Sequence, residues 1–273
     1  MRTKMSDREM RAARYARHVC LPEVGPAGQE RLRRGRVLVV GVGGLGAPAS
    51  LYLAAAGVGT IGLMDPDVVD LSNLQRQITY DTRGLGQVKV TLAAAALAAR
   101  NPEVEVRTYQ EALVAERLPE VFAAFDFVID GTDGVAAKFL VNDGAVLTGT
   151  PYSHAGALGW IGQTMTVLPG ESACYRCLFP APPDDADVPT CQTSGILGAV
   201  AGTIGLVQAT EALKYLLGRG GLLTNRLLTY DAVASRWRLV PVPRNRRCPL
   251  CGTPRTLTTL TAAVAPPNAG AFS

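Results

Sequence analysis

Three short apolar runs punctuate the first half of the chain: Val37-Leu38-Val39-Val40, Thr60-Ile61-Gly62-Leu63-Met64 and Phe127-Val128-Ile129. None alternates apolar with polar positions, and each stops at once on a glycine or an aspartate. Such runs suit strands buried on both faces of a parallel sheet. The segments between them suit helices. Residues 47–56 carry Pro48 in the first turn and stop at Gly57. Residues 86–100 close on Asn101-Pro102, a weaker strand starts at Val104-Glu105-Val106, and residues 114–124 read as helix. Two helices precede the first strand, one over 7–19 with Ser6 or Asp7 as cap, the other over about 26–34. Strand alternating with helix predicts an α/β fold, a Rossmann-like, doubly wound, mostly parallel sheet.

After about residue 150 the pattern changes. Gly162–Leu168, Leu227–Tyr230 and Trp237–Val240 predict a smaller antiparallel part, with a helix over roughly 195–217 among them. Pro180–Pro189 reads as an exposed, mobile Pro/Asp-rich loop, and residues 262–273 as a disordered tail. The expected organisation is one domain over 1–261, with a nucleotide-binding half of about 1–150 and a second half of about 151–261.

Composition narrows the class. With 48% apolar and 18% charged residues, the chain can build a large core and does not read as disordered. The longest uninterrupted weakly polar run, Ser194–Val207, has 14 residues, short of a membrane span. No secretory h-region opens the chain, so the expected compartment is the reducing cytoplasm. Residues 1–40 hold ten Arg/Lys against four Asp/Glu, a local +6 within a total of +4. Such an arm could face nucleic acid, a phosphate ligand, an acidic partner, or simply water. It has no aromatic interleaving beyond Tyr15, which argues against nucleic acid.

Two constellations carry chemistry. Gly41, Gly43 and Gly46, with Gly44 between, form G-x-G-x-x-G after a strand and before a helix. That turn lets backbone N–H groups approach phosphate. Asp65, at the end of the next strand, suits a ribose hydroxyl. The turn alone does not separate NAD(P), FAD and ATP. The following string, Asp65 to Gln77, adds Ser72, Asn73 and Arg76, and Lys89 follows later. A dehydrogenase needs no such cations, whereas a triphosphate does. The second constellation is Cys174-Tyr175-Arg176-Cys177 with Cys248-Pro249-Leu250-Cys251. Two C-x-x-C pairs supply four thiolates for a closed, structural Zn²⁺ site, with a redox pair as the rival. Cys191, near a helix start, is either a reactive thiol or an inert one. Cys20 reads as a small core residue, and His18 and His154 as hydrogen-bonded structural histidines.

The glycine turn followed by D-x-D-x-V-D-x-S-N-L-x-R-Q resembles the ATP-binding core of the ThiF/MoeB/HesA family, which is similar to the adenylating half of ubiquitin-activating enzymes. The resemblance runs from Arg14-Tyr15-Ala16-Arg17-His18 to Cys248-Pro249-Leu250-Cys251-Gly252. It implies an adenylyltransferase that activates the C-terminal Gly-Gly carboxylate of a small ubiquitin-like sulfur-carrier protein as acyl-AMP, ahead of thiocarboxylate formation. Molybdopterin and thiamine synthesis use such activators. By resemblance, the glycine turn approaches the phosphates and Asp65 binds the ATP ribose. Asn73, Arg76 and Lys89 hold the triphosphate with Ser72 in support, and Asp133 binds Mg²⁺. Arg17 reaches the partner subunit's ATP in a homodimer, and Cys191 is the thiol that in some members bonds covalently to the carrier. No rhodanese-type segment follows the second cysteine pair, so the sulfur donor is expected to be a separate protein. Two positions depart from the family: Gly134 stands where Asn is usual, and Lys138 where Arg is usual. Adenylation of a peptide C-terminus, a dehydrogenase and a zinc-bearing interaction scaffold are the alternatives.

Overall fold

The computed structural model describes residues 6–183 and 191–260. Helix α1, Asp7–Val19, starts in a capping box: the Ser6 hydroxyl accepts from the Glu9 N–H at 3.3 Å, and the Glu9 carboxylate accepts from the Ser6 N–H at 2.9 Å. Then come α2 (Gly25–Arg34), β1 (Arg36–Val40), α3 (Gly46–Ala56), β2 (Thr60–Met64), α4 (Lys89–Arg100), β3 (Glu105–Tyr109), α5 (Leu118–Ala123) and β4 (Phe127–Asp130). Helix α6 (Val135–Thr148), β5 (Tyr152–Leu158), β6 (Ile161–Val167), α7 (Tyr175–Leu178), α8 (Cys191–Ser194), α9 (Gly198–Leu217), β7 (Arg226–Asp231) and β8 (Arg236–Pro241) complete the described chain.

All eight strands form one sheet in the order β3-β2-β1-β4-β5-β6-β7-β8. The first five are parallel, and β6 to β8 add on antiparallel. The antiparallel part is therefore not a separate layer. Strand β5 joins the two regimes, parallel to β4 and antiparallel to β6. Period-two alternation along β1 sends Val37 and Val39 into a core with Leu53, Leu97 and Ala212, while Leu38 and Val40 enter a second core with Phe122, Leu140 and Tyr152. Both faces are covered, which is why the run shows no alternation. Burying each such side chain contributes about 1.5–3 kcal/mol. The small residues of Ser194–Val207 serve close packing: a Cβ at Gly205 would lie 2.2 Å from the Leu45 carbonyl oxygen. None of the described helices is long and apolar enough to cross a membrane.

Several boundaries differ from expectation. Helix α4 begins at Lys89 because Gly86 is left-handed (φ +74°) and Val88 is extended, bridged to Val68. Pro119 sits in the first turn of α5, which starts at Leu118 rather than 114. The helix expected from about 195 is split: α8 ends before Gly195 (φ +71°), whose carbonyl accepts from the Gly159 N–H, and α9 starts at Gly198. Helix α6 and strand β5 have no counterpart among the expected elements. Cys20 is not a core residue; it lies exposed at the C-cap of α1, where Tyr15 makes the buried contact. Most of the expected mobile loop, residues 184–189, and the expected tail, 262–273, lie outside the described residues.

Candidate active site and metal centre

Strand β1 lies between β2 and β4, so the chain leaves it towards opposite sheet edges. The crevice beyond the carboxyl ends of β1 and β4 is a topological switch point, where open α/β sheets place ligands. Two turns meet there. The turn after β4 docks on the one after β1 through the Gly131 N–H, which donates to the Val40 carbonyl at 2.8 Å. Gly41 is left-handed (φ +82°), and a Cβ on it would lie 2.8 Å from the Gly131 carbonyl oxygen. A Cβ at Gly46 would lie 1.9 Å from the Gly41 carbonyl oxygen, so the helix can enter the turn only with glycine there. No side chain caps α3; the Ala47 N–H donates to the Gly43 carbonyl at 2.9 Å, so the glycine turn itself closes the start of the helix.

The acidic string wraps this turn. Asp65 is buried; its Oδ2 accepts from the Val42 N–H at 2.9 Å and its Oδ1 from the Asp67 N–H at 3.0 Å. Burial pushes its carboxyl above the ordinary range, against the opposing charge of Lys89. Lys89 Nζ lies 2.8 Å from Asp67 Oδ2, with 6% of the lysine side chain exposed against 63% of the aspartate. The ammonium is thus anchored at the edge of the crevice by a partner that water already screens. Asp70 accepts from the Ser72 N–H at 2.8 Å and hydroxyl at 2.5 Å, and so shapes the short 3₁₀ turn Leu71–Asn73. Arg76 donates to the Ser72 carbonyl at 3.0 Å, and its stem passes Gly44, where a Cβ would lie 3.3 Å from Arg76 Cγ. Asp133 is exposed in the turn after β4.

The structure therefore brings Gly41, Gly43, Gly44, Gly46, Asp65, Ser72, Asn73, Arg76, Lys89 and Asp133 to one end of the sheet. It does not bring Arg17 there. Tyr15, two residues before Arg17, meets Asn101 Nδ2 at 2.7 Å, and a Cβ on Gly57 would fall 2.5 Å from its hydroxyl. Both contacts lie at the C-terminal ends of α3 and α4, at the opposite end from the glycine turn. The 11 residues of α3 separate those ends by about 16 Å. Arg17 is exposed and makes no ion pair among the described residues. Cys191 opens α8, a helix of four residues, and its side chain lies outside the described part.

Sequence reasoning missed two supports. Tyr80 Oη donates to the Val42 carbonyl at 2.9 Å, bracing the glycine turn, and burial together with the nearby Asp65 pushes its phenol well up. Gln77, buried, lies beside Gly43. Both follow Arg76 closely, and a tyrosine in a polar segment was the available signal. The two histidines are structural, as expected. His18 Nδ1 lies 3.2 Å from Gln29 Oε1. His154 Nδ1 lies 3.0 Å from Asp130 Oδ2, and burial holds its pKa down. Burial would raise Asp130, but Lys138, His154 and Thr132 together hold it below the ordinary range.

The candidate metal centre lies within the second core. The four sulfurs of Cys174, Cys177, Cys248 and Cys251 lie within 4.8 Å of one another. Sγ–Sγ separations of 3.6 Å (Cys174–Cys248) and 3.4 Å (Cys177–Cys251) approach the ~3.8 Å edge of a tetrahedron with ~2.3 Å Zn–S bonds. The contacts of Cys174 with Cys177 and Cys251, together with burial, push its thiol well up. Four thiolates this close need a cation, and the donor set fits Zn²⁺. No open position remains for chemistry.

The chain matches the model of the ThiF family over residues 15–250. It belongs to the ThiF family. This ThiF-family chain is 45% identical over 244 residues to a sulfur carrier protein adenylyltransferase of Thermus thermophilus, covering 88% of the chain and 90% of the relative. It is also 45% identical over 239 residues to a SAMP-activating enzyme of Haloferax volcanii, covering 88% of each. Among solved structures, Escherichia coli MccB with ATP superposes with a TM-score of 0.75 at 22% identity, covering 88% of the chain and 74% of MccB. That likeness establishes a shared fold.

Proposed function

We propose that this ThiF-family protein is an ATP-dependent adenylyltransferase that activates the C-terminal Gly-Gly carboxylate of a small ubiquitin-like sulfur carrier. The observation that carries the reading is the convergence of the glycine turn, Asp65, Arg76, Lys89 and Asp133 on the β1/β4 crevice. A carboxylate oxygen of the carrier attacks the α-phosphorus of ATP, the bond to the β-phosphate oxygen breaks, and acyl-AMP and pyrophosphate result. The chain's contribution is positioning and neutralisation of charge. Turn N–H groups and Lys89 meet the phosphates, Arg76 forks onto them, and Asp65 takes the ribose hydroxyl. Asp133, an exposed carboxylate beside the phosphate turn, suits Mg²⁺, which binds through one or two carboxylates plus phosphate oxygens. Mg²⁺, when bound, withdraws negative charge from the phosphates.

Three further elements belong to this reading. The protein acts as a homodimer, each Arg17 serving the partner's site; the placement of α1 at the far end of its own protomer supports this. Cys191 is the thiol that takes part in sulfur transfer to the carrier, and the sulfur donor is a separate protein. The setting is the cytoplasm.

The test is exchange of labelled pyrophosphate into ATP, dependent on a carrier ending in Gly-Gly. Exchange with such a carrier is expected. Exchange supported only by a free peptide would overturn the carrier assignment, and its absence with every carrier tried would overturn adenylation.

A further inference from the structure

We propose that Lys138 is a positioning residue, whose ammonium sets the conformation of the turn carrying Asp133 without itself meeting the nucleotide. This rests on the reading of the crevice as a metal–nucleotide site.

Lys138 lies in the first turn of α6 and is buried, with 7% exposed. Its Nζ donates to the Thr132 carbonyl at 2.5 Å and the Ala155 carbonyl at 2.6 Å, and lies 3.6 Å from Asp130 Oδ2. An ammonium has three N–H bonds and no acceptor. Two carbonyls take two of them, and the buried nitrogen has the Asp130 carboxylate, at 3.6 Å, as its charge partner. The cation at the family's arginine position is thus turned inward.

Its targets explain the consequence. Asp130 Oδ1 accepts from the Thr132 N–H at 3.1 Å and from the Thr132 hydroxyl at 2.6 Å, while its Oδ2 is held by His154. Residue 132 is therefore fixed at its nitrogen and hydroxyl by Asp130 and at its carbonyl by Lys138. Asp133 is the next residue. The turn has little else to hold it. Gly134 caps α6 with no side-chain hydrogen bond, and a Cβ there would meet nothing within 4 Å. The contact to Ala155 also ties the turn to β5, so its height above the sheet is set from two strands. One nitrogen at a point where two carbonyls converge suits lysine. A planar guanidinium spreads its donors over a fork and does not fit there.

The test uses the full-length protein, with ATP and Mn²⁺ as probes. Calorimetry measures binding of ATP in EDTA and of Mn²⁺·ATP to wild type, Lys138→Met, Lys138→Arg and Lys138→Gln. Positioning through Asp133 predicts that metal-free ATP binding is unchanged in Lys138→Met while binding of Mn²⁺·ATP weakens by about 10–100-fold, as for removed outer-sphere partners. Lys138→Arg does not restore it. In an Asp133→Ala background, Lys138→Met adds no further loss. Equal weakening with and without metal would mean a direct phosphate contact and overturn the proposal, as would no weakening at all. Should Lys138→Met fail to fold by circular dichroism, Lys138→Gln, which keeps two N–H donors, carries the same comparison. Failure of wild type to bind ATP at all would instead overturn the nucleotide reading beneath it.

Discussion

Arg176→Met should cost about 3–5 kcal/mol of folding stability, although Arg176 is no metal ligand and merely sits between two cysteines of the candidate zinc cluster. Its Nε and Nη2 each lie 2.7 Å from the Asp143 carboxylate, and Nη1 donates to the Pro180 carbonyl at 2.9 Å. The two side chains are only 11% and 10% exposed, and the guanidinium stands 4.8 Å from the centre of the Phe139 ring. An exposed pair would contribute about 0–1 kcal/mol. Here, truncating one partner strands a buried charge. Asp143→Leu should cost a similar amount for the same reason. The double variant, which replaces the pair with apolar groups of comparable bulk, should lose far less than the sum. Urea denaturation in excess zinc measures this, with Trp160 and Trp237 in the antiparallel region as reporters. Each single variant should also melt about 6–20 °C lower. Single losses below 1 kcal/mol that add in the double variant would refute the reasoning, because they would show that water screens the pair.

Other outcomes follow from the crevice. Gly46→Ala should abolish ATP binding by calorimetry while zinc content stays at four thiols per ion, because the new Cβ displaces the phosphate turn and not the metal centre. Lys89→Met should slow pyrophosphate exchange by about 10²–10³-fold, the usual loss for one preorganised donor. The Asp65 carboxyl is raised in the fold, so the folded state keeps that proton to higher pH than the unfolded state does. Its contribution to stability is therefore greatest below the ordinary carboxylate range and is lost as pH rises through the folded value. Asp65→Asn should flatten that part of the urea-midpoint profile, from the ordinary carboxylate range upward. Mixing Arg17→Ala with Asp133→Ala subunits should restore exchange to inactive preparations, and no recovery would count against shared sites.

The parallel strands were legible because burial on both faces leaves an unbroken apolar run. The phosphate turn was legible because a left-handed φ and a close approach demand glycine at fixed spacing. Helix α6 was not, since Lys138, Asn142 and Asp143 interrupt its apolar pattern. In the structure all three are buried and paired, with Thr132 and Ala155, Tyr152 and Tyr175, and Arg176 respectively. Those partners lie too far along the chain for local periodicity to signal. Strand β5 hid likewise, because Ser153 and His154 are buried yet polar, Ser153 Oγ meeting Thr164 and His154 Nδ1 meeting Asp130. Cys20 misled in the opposite sense. A small thiol after Val19 suggested core, but among the described side chains of the helix that ends there the buried one is Tyr15, which points elsewhere. For the candidate site, sequence pointed to the residues that gather at the β1/β4 crevice, Arg17 and Cys191 aside, and missed Tyr80 and the inward orientation of Lys138.

The unbroken eight-stranded sheet has a thermodynamic consequence. With β5 hydrogen-bonded into both regimes, the nucleotide half and the cysteine half have no boundary along which to melt separately, so they should unfold in one cooperative transition. Three of the four thiols are buried, and zinc held by them would escape to a chelator chiefly through that unfolding. ATP at a hundredfold excess over its dissociation constant would stabilise the native state by about 2.7 kcal/mol. It would therefore slow zinc extraction by roughly the same hundredfold, although the nucleotide and the metal share no atom contact. Conversely, a chain denied zinc would lose stability in both halves at once, the ATP site included.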